Sequence, residues 1–211
     1  DSGCIILTQP DQPYSNWEEL VAYIKAHPGE VTVASVSSSV MDIKLRALFN
    51  YTGLSDQVRY VSTSRADSTA GLLGGNINLV IMDEATASGY IIDGSAKGIV
   101  NCRVNEDFSV YEGDINKVIS AVQTLTDILG DKADQAMVPN RTMIVGPAGI
   151  PDELVKKIAS IVDPIVDGSD EWQQRLVANG GTSYYRTWTP QEIRDEWARL
   201  DPVVAEIKKA A

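Results

Sequence analysis

Over the first hundred residues, short apolar runs alternate with stretches whose apolar positions have helical spacing. Cys4–Gln9 reads as a strand, broken by Pro10 to Pro13. Trp17, Leu20, Val21 and Ile24 then share one face of a helix. Ser15-Asn16-Trp17-Glu18 has the spacing of a capping box with Ser15 at the cap, and Lys25-Ala26-His27-Pro28-Gly29 stops the helix, with His27 as its C-terminal cap. Val31–Phe49 opens as a strand, passes through Ala34-Ser35-Val36-Ser37-Ser38-Ser39, and closes as a helix with Ile43, Leu45, Leu48 and Phe49 on its apolar face. Gly53 ends that helix. Val58–Ser62 is a predicted strand, Ser64–Leu73 a helix stopped by Gly74-Gly75, Ile77–Met82 a buried strand, Glu84–Ile92 a short helix and Gly98–Cys102 a strand. This alternation predicts βαβ units, an α/β fold with a parallel-rich sheet covered by helices.

The second half has another texture. Arg103–Asp114 is polar and reads as a loop, and Ile115–Leu129 has mixed spacing, with a short helix from a Thr124 cap and Asp127 in its first turn. Thr142–Val145 reads as a strand and Gly146-Pro147-Ala148-Gly149 as a turn. Ile150-Pro151-Asp152-Glu153 opens a helix, with Leu154, Ile158, Ile161 and Ile165 as its core face. Another starts at Ser169-Asp170-Glu171-Trp172 and stops at Gly180-Gly181, followed by a short strand at Ser183–Trp188. Thr189-Pro190-Gln191-Glu192 is a second capping box, and its helix carries Ile193, Trp197, Leu200 and Val204 toward the chain end. The shift near Val138–Pro151 suggests a second lobe or a crossing between lobes.

Composition narrows the function. With 211 residues and 44% hydrophobic content the chain can bury a sizeable core, and its net charge of -11 argues against nucleic acid or an anionic membrane surface as partner. No apolar run is long enough to span a bilayer, and Asp1-Ser2-Gly3-Cys4 carries no leader pattern, which fits a mature form or a part of a longer chain equally and says little about compartment. Cys4 and Cys102 fall in predicted strands and read either as buried apolar residues or, in an exported protein, as a disulfide. A hydrolase site is not expected. The one histidine, His27, sits at a helix stop, and there is neither a Gly-x-Ser-x-Gly elbow nor a Ser-x-x-Lys pair. Asp127, Asp131 and Asp134, like Asp163, Asp167 and Asp170, lack the ligand alternation of a calcium loop, so no metal or cofactor is expected. Binding fits better than catalysis. Ser35–Ser39, Ser62-Thr63-Ser64-Arg65 and Asp83-Glu84-Ala85-Thr86 each follow a strand and open a helix, where free amides and the helix dipole favour an anion. In a parallel sheet these loops share one edge. The candidate ligand-binding residues are Ser35, Ser37, Ser38, Ser39, Ser64, Arg65 and Asp83, with Arg65 as the cation for a carboxylate. The plainer alternatives are serines that only cap helices and an Arg65 paired with Asp67.

Several motifs in order give a resemblance. Trp17-Glu18-Glu19-Leu20 through Lys25-Ala26-His27-Pro28-Gly29, Val33-Ala34-Ser35, Leu72-Leu73-Gly74-Gly75-Asn76-Ile77-Asn78-Leu79 and Gly146-Pro147-Ala148-Gly149-Ile150-Pro151 resemble the extracytoplasmic solute-binding receptors of tripartite tricarboxylate transporters, the Bug receptors. The likeness runs from about Ile5 to the end. It implies a type II periplasmic-binding-protein-like architecture: two lobes, with mixed sheets covered by helices, closing on a small carboxylate. It also implies a periplasmic or extracellular receptor, exported by a signal peptide or membrane-anchored in its full-length form, monomeric, not an enzyme, that delivers its ligand to membrane transporter subunits. On this pattern residues 1–12 are a crossing strand, 13–102 the ligand-binding second lobe, 103–141 the return, and 142–211 helices that complete the first lobe, whose front segment has no match here. Cys4 and Cys102 then lie in or near the crossing strands, which favours their pairing. The family's Gly-x-Gly-Ser loop is replaced by Ser37-Ser38-Ser39-Val40, and its later His-Leu by Ile43-Lys44. Arg65 stands where a small hydroxyl residue is expected. The other reading is an effector-sensing domain of a transcription regulator with a related fold.

Overall fold

The computed structural model describes residues 3–104, 108, 111–136, 138, 144–178 and 188–209. Five strands, β1 (Cys4–Thr8), β2 (Thr32–Ser35), β3 (Arg59–Ser62), β4 (Leu79–Asp83) and β5 (Lys97–Asn101), form one sheet in the order β3-β2-β4-β1-β5. β2 pairs in parallel with β3 and β4, while β1 lies antiparallel between β4 and β5. The sheet is therefore mixed, and the parallel-rich expectation holds for β2, β3 and β4. β1 runs against its neighbours although its apolar run looks like theirs, since such a run carries no direction.

Period-two alternation divides the core. Cys4, Ile6, Val33, Leu79 and Ile81 face one cluster, with α1 (Trp17–Ala26) and α2 (Val40–Tyr51) supplying Leu20, Ile24, Leu45 and Phe49. Ile5, Leu7, Ala34, Val80 and Met82 face the other, where α3 (Arg65–Leu73), α4 (Glu84–Ile92) and α5 (Gly113–Ser120) add Leu72, Ala87 and Ile119. Helix α1 begins one residue later than its sequence suggests. Asn16 Oδ1, not the Ser15 side chain, accepts the Glu19 amide at 2.9 Å, and the Glu19 carboxylate accepts the Ser15 amide at 2.7 Å. His27 ends α1 as expected, with its ring on Tyr23 and Nδ1 3.0 Å from the Tyr23 carbonyl.

After β5, α5 begins inside the expected loop, and α6 (Leu125–Leu129) opens on the Thr124–Asp127 capping box. A 3-10 turn (Gly130–Lys132) and α7 (Ala133–Ala136) follow, then α8 (Asp152–Gly168), α9 (Asp170–Ala178) and α10 (Pro190–Lys209). Thr189 and Glu192 make the second capping box. Three expectations fail or fall outside the described residues. Ile144 and Val145 are exposed and in no strand, and Thr142 and Met143 lie outside. Trp188 is in no strand, and residues 183–187 and the expected Gly180-Gly181 stop lie outside. The α8 stripe of Leu154, Ile158, Ile161 and Ile165 is 38–55% exposed rather than core. Spacing shows that a helix has an apolar face, not what covers it.

Candidate ligand-binding site

The carboxyl ends of β2, β3 and β4 share one edge because the three strands run in parallel. Each leads into a helix through a capping side chain. Ser39 Oγ accepts the Asp42 amide at 3.2 Å, Ser64 Oγ the Asp67 amide at 3.1 Å, and Asp83 Oδ1 the Thr86 amide at 2.9 Å. The plain capping role of these residues is real, and it is also what aims the first turns of α2, α3 and α4 at the same edge. The first-turn amides of α2, α3 and α4 precede any intrahelical acceptor.

A cavity of about 170 Å³ opens there, lined by Ser35, Val36, Ser39, Met41, Arg65 and Met82 among others. Of the expected residues, Ser35, Ser39 and Arg65 line it. Asp83 is joined to it through Arg65, whose Nη2 donates to Asp83 Oδ2 at 3.0 Å. Ser64 caps α3 beside it. Ser37 and Ser38 are exposed on the β2–α2 loop and are not in the lining. Arg65 pairs with Asp83, not with Asp67, which instead accepts from Ser64 Oγ at 2.7 Å. The pair is open to water on the arginine side, 63% exposed, so its own contribution to stability is small.

Asp42 organises the loop and escapes the sequence reading. It is buried, and it accepts from Ser35 Oγ at 2.5 Å, the Ser38 amide at 3.1 Å and Arg46 Nε at 3.0 Å. Its one sequence signal is an acid three residues after the Ser39 cap. A second buried acid, Glu84, accepts from Asn101 Nδ2 at 2.5 Å and Tyr111 Oη at 2.6 Å and pairs with Arg103 at 3.0 Å. Its partners come from the end of β5 and the residues that follow it, so it fastens the α4 start to that part of the chain. Gly3 is required beside it, since a Cβ there would overlap the Glu84 carboxylate. Cys4 and Cys102 are both buried, and the Cys102 amide donates to the Cys4 carbonyl at 2.6 Å. Among the described residues no group of three His, Cys, Asp or Glu could hold a metal ion, and no helix is long and apolar enough to cross a membrane.

A family model described as the tripartite tricarboxylate transporter family receptor, TctC, matches residues 1–208. No curated protein matches the chain. Among solved structures, Rpa4515 of R. palustris, solved with adipate, aligns with a TM-score of 0.67 at 17% identity, covering 98% of this chain and 66% of that one. A TctC solute-binding protein from Polaromonas, without ligand, gives 0.65 at 18% identity, with 99% and 65% covered. MatC from Rhodopseudomonas palustris, with bound malate, gives 0.60 at 18%, again with 99% and 65% covered. These identities show a shared fold, the two-lobed α/β arrangement of periplasmic binding proteins. The chain spans just under two thirds of the length of these structures.

Proposed function

From the premise that this chain belongs to the tripartite tricarboxylate transporter receptor family, we propose that it binds a small organic carboxylate at the edge formed by β2, β3 and β4 and hands it to membrane transporter subunits as an extracytoplasmic, monomeric receptor. The family is one of solute receptors, not enzymes. The observation that carries the reading is the meeting of two capped helix starts, those of α2 and α3, with Arg65 at one cavity, to which the α4 cap Asp83 is joined through its pair with Arg65. Backbone amides there suit a carboxylate without any bond being made or broken. Ser35 and Ser39 shape the wall, and Ser37 and Ser38 offer hydroxyls from the loop above it. Malate and adipate in two fold neighbours are consistent with this class of ligand. The family match favours a receptor over an effector-sensing domain of a regulator.

We also propose the lobe plan that the resemblance implies. Residues 1–12 carry the crossing strand, 13–102 the ligand-binding lobe, 103–141 the return, and 142–211 helices of the other lobe. The bare apolar stripe of α8 supports this, since a helix with such a face is ordinarily covered.

The test is thermal denaturation and calorimetry of this chain with a carboxylate panel of succinate, malate, adipate and citrate. A ligand held only by the folded state raises Tm with concentration. A flat response to the whole panel, with no heat of binding, overturns binding by this chain. Arg65→Ala should weaken the best ligand by about 1.5–3 kcal/mol if a charged hydrogen bond is lost, and unchanged affinity removes Arg65 from the site.

A further inference from the structure

Cys4 and Cys102 are the two cysteines of these 211 residues, and nothing in the binding edge uses them. They are 98 positions apart in sequence, yet adjacent in space. β1 and β5 are antiparallel with Ile5 opposite Asn101, and continuing that register by one step sets Cys4 opposite Cys102. The 2.6 Å bond from the Cys102 amide to the Cys4 carbonyl shows that the pairing does continue. Both side chains fall in the same core cluster, on one face of the sheet, and both are essentially buried. Residues opposed in a hydrogen-bonded antiparallel pair have Cα atoms about 5.5 Å apart, inside the roughly 4.4–6.8 Å that a disulfide spans. Two buried apolar thiols need none of this register; a cross-strand bridge needs all of it.

We propose that Cys4 and Cys102 are a disulfide site that joins β1 to β5 when the chain folds in an oxidising compartment. An extracytoplasmic family is where such a bond forms and persists. The oxidant is a small-molecule or protein disulfide. One cysteine, as thiolate, attacks it, forming a mixed disulfide and releasing one thiolate. The second cysteine, as thiolate, attacks the cysteine sulfur of that mixed disulfide, closing the Cys4–Cys102 bond and releasing the second thiolate. The two protons lost by the cysteines end on the two released thiols, and the two electrons reduce the oxidant. Exchange takes place during folding, before the core closes; burial afterwards shields the bond from reductant. The bond closes a loop of roughly 100 residues, the range in which a cross-link restricts the unfolded chain most. It would also fasten together the two strands that border the Glu84–Arg103 tie.

The test is to unfold the reduced protein and refold it with reduced and oxidised glutathione, then to alkylate it in denaturant and weigh it. Supporting results are a mass lower by two hydrogen atoms, no alkylation, a linked pair of peptides containing Cys4 and Cys102, and a Tm several degrees above that of the dithiothreitol-treated protein. Cys102→Ala should give the same Tm with and without reductant. Full alkylation of both thiols after refolding, mixed adducts with glutathione in place of the internal bond, or disulfide-linked dimers would each overturn the proposal. The wild-type measurement decides the matter even where a cysteine variant fails to fold.

Discussion

Ser38 is held at a φ of 60°, the left-handed region that costs an L side chain about 1–2 kcal/mol relative to glycine. Its amide bond to buried Asp42 holds it there. Ser38→Gly should therefore stabilise the chain by about 0.5–1 kcal/mol, read as a higher urea midpoint, offset in part by the greater freedom glycine gives the unfolded chain. No shift, or a loss, would show that the loop stores no strain. At the rim, Asp83 competes with any carboxylate for Arg65. Asparagine caps a helix as well as aspartate does, so Asp83→Asn leaves α4 intact and frees the guanidinium. Carboxylate affinity should rise severalfold; a fall would mean that Asp83 itself grips the ligand. Burial raises the pKa of Cys4, Cys102, Tyr14 and Tyr60 above the ordinary 9.0 for a thiol and 10.0 for a phenol. Their folded values exceed their unfolded ones. The stability they represent is thus complete below the ordinary values and is lost as pH rises toward the folded ones. In the reduced protein the denaturant midpoint should hold to about pH 8.5 and fall beyond it. In the disulfide-linked form the thiol part is absent and the fall should begin nearer pH 10.

Among elements, β2 and β4 share only two register pairs, Val33 with Leu79 and Ala34 with Val80. Asn78 extends that short ladder with its side chain. Its Oδ1 accepts the Thr32 amide at 2.8 Å and Thr32 Oγ1 at 2.7 Å, and the Asn78 amide donates back to Thr32 Oγ1 at 3.0 Å. Asn78→Ala leaves the buried Thr32 amide without its acceptor, which should cost about 1–3 kcal/mol in chemical denaturation. Asn78→Asp keeps both accepting bonds and should retain most of the stability. Equal losses in the two variants would mean that packing, not the bonds, is what Asn78 provides.

In the whole molecule, Glu84 and Arg103 join the start of α4 to the segment leaving β5, 1% and 4% exposed in their side chains. Removing one partner leaves a buried charge without its counter-charge, so Arg103→Met should destabilise by about 3–5 kcal/mol. A loss under 1 kcal/mol would show that the carboxylate finds water. The α8 stripe gives the opposite expectation. Ile161 is 55% exposed, so Ile161→Lys should leave the stability of this chain within about 0.5 kcal/mol of wild type. A large loss would show that the stripe is covered even here.

Element types were legible along most of the chain because periodicity and caps are local. The Thr124–Asp127 and Thr189–Glu192 boxes, the His27 stop and the strand–helix alternation all stand as read. The three strand-to-helix loops at the candidate site were legible for the same reason, since each is a strand end followed by a capping residue. Local pattern carries no information on direction or partner. It could not say that β1 runs antiparallel between β4 and β5, that Arg65 meets Asp83 across 18 positions, or that Asp42 and Glu84 lie buried among bonds from distant segments. The sequence by itself determined which segments are strands, which are helices, and where each helix presents its amides, through hydrophobic spacing and capping side chains. Only the tertiary structure decided which strand ends lie side by side, which charges neutralise each other, and that Cys4 faces Cys102, because pairing and burial are settled between segments far apart in the chain.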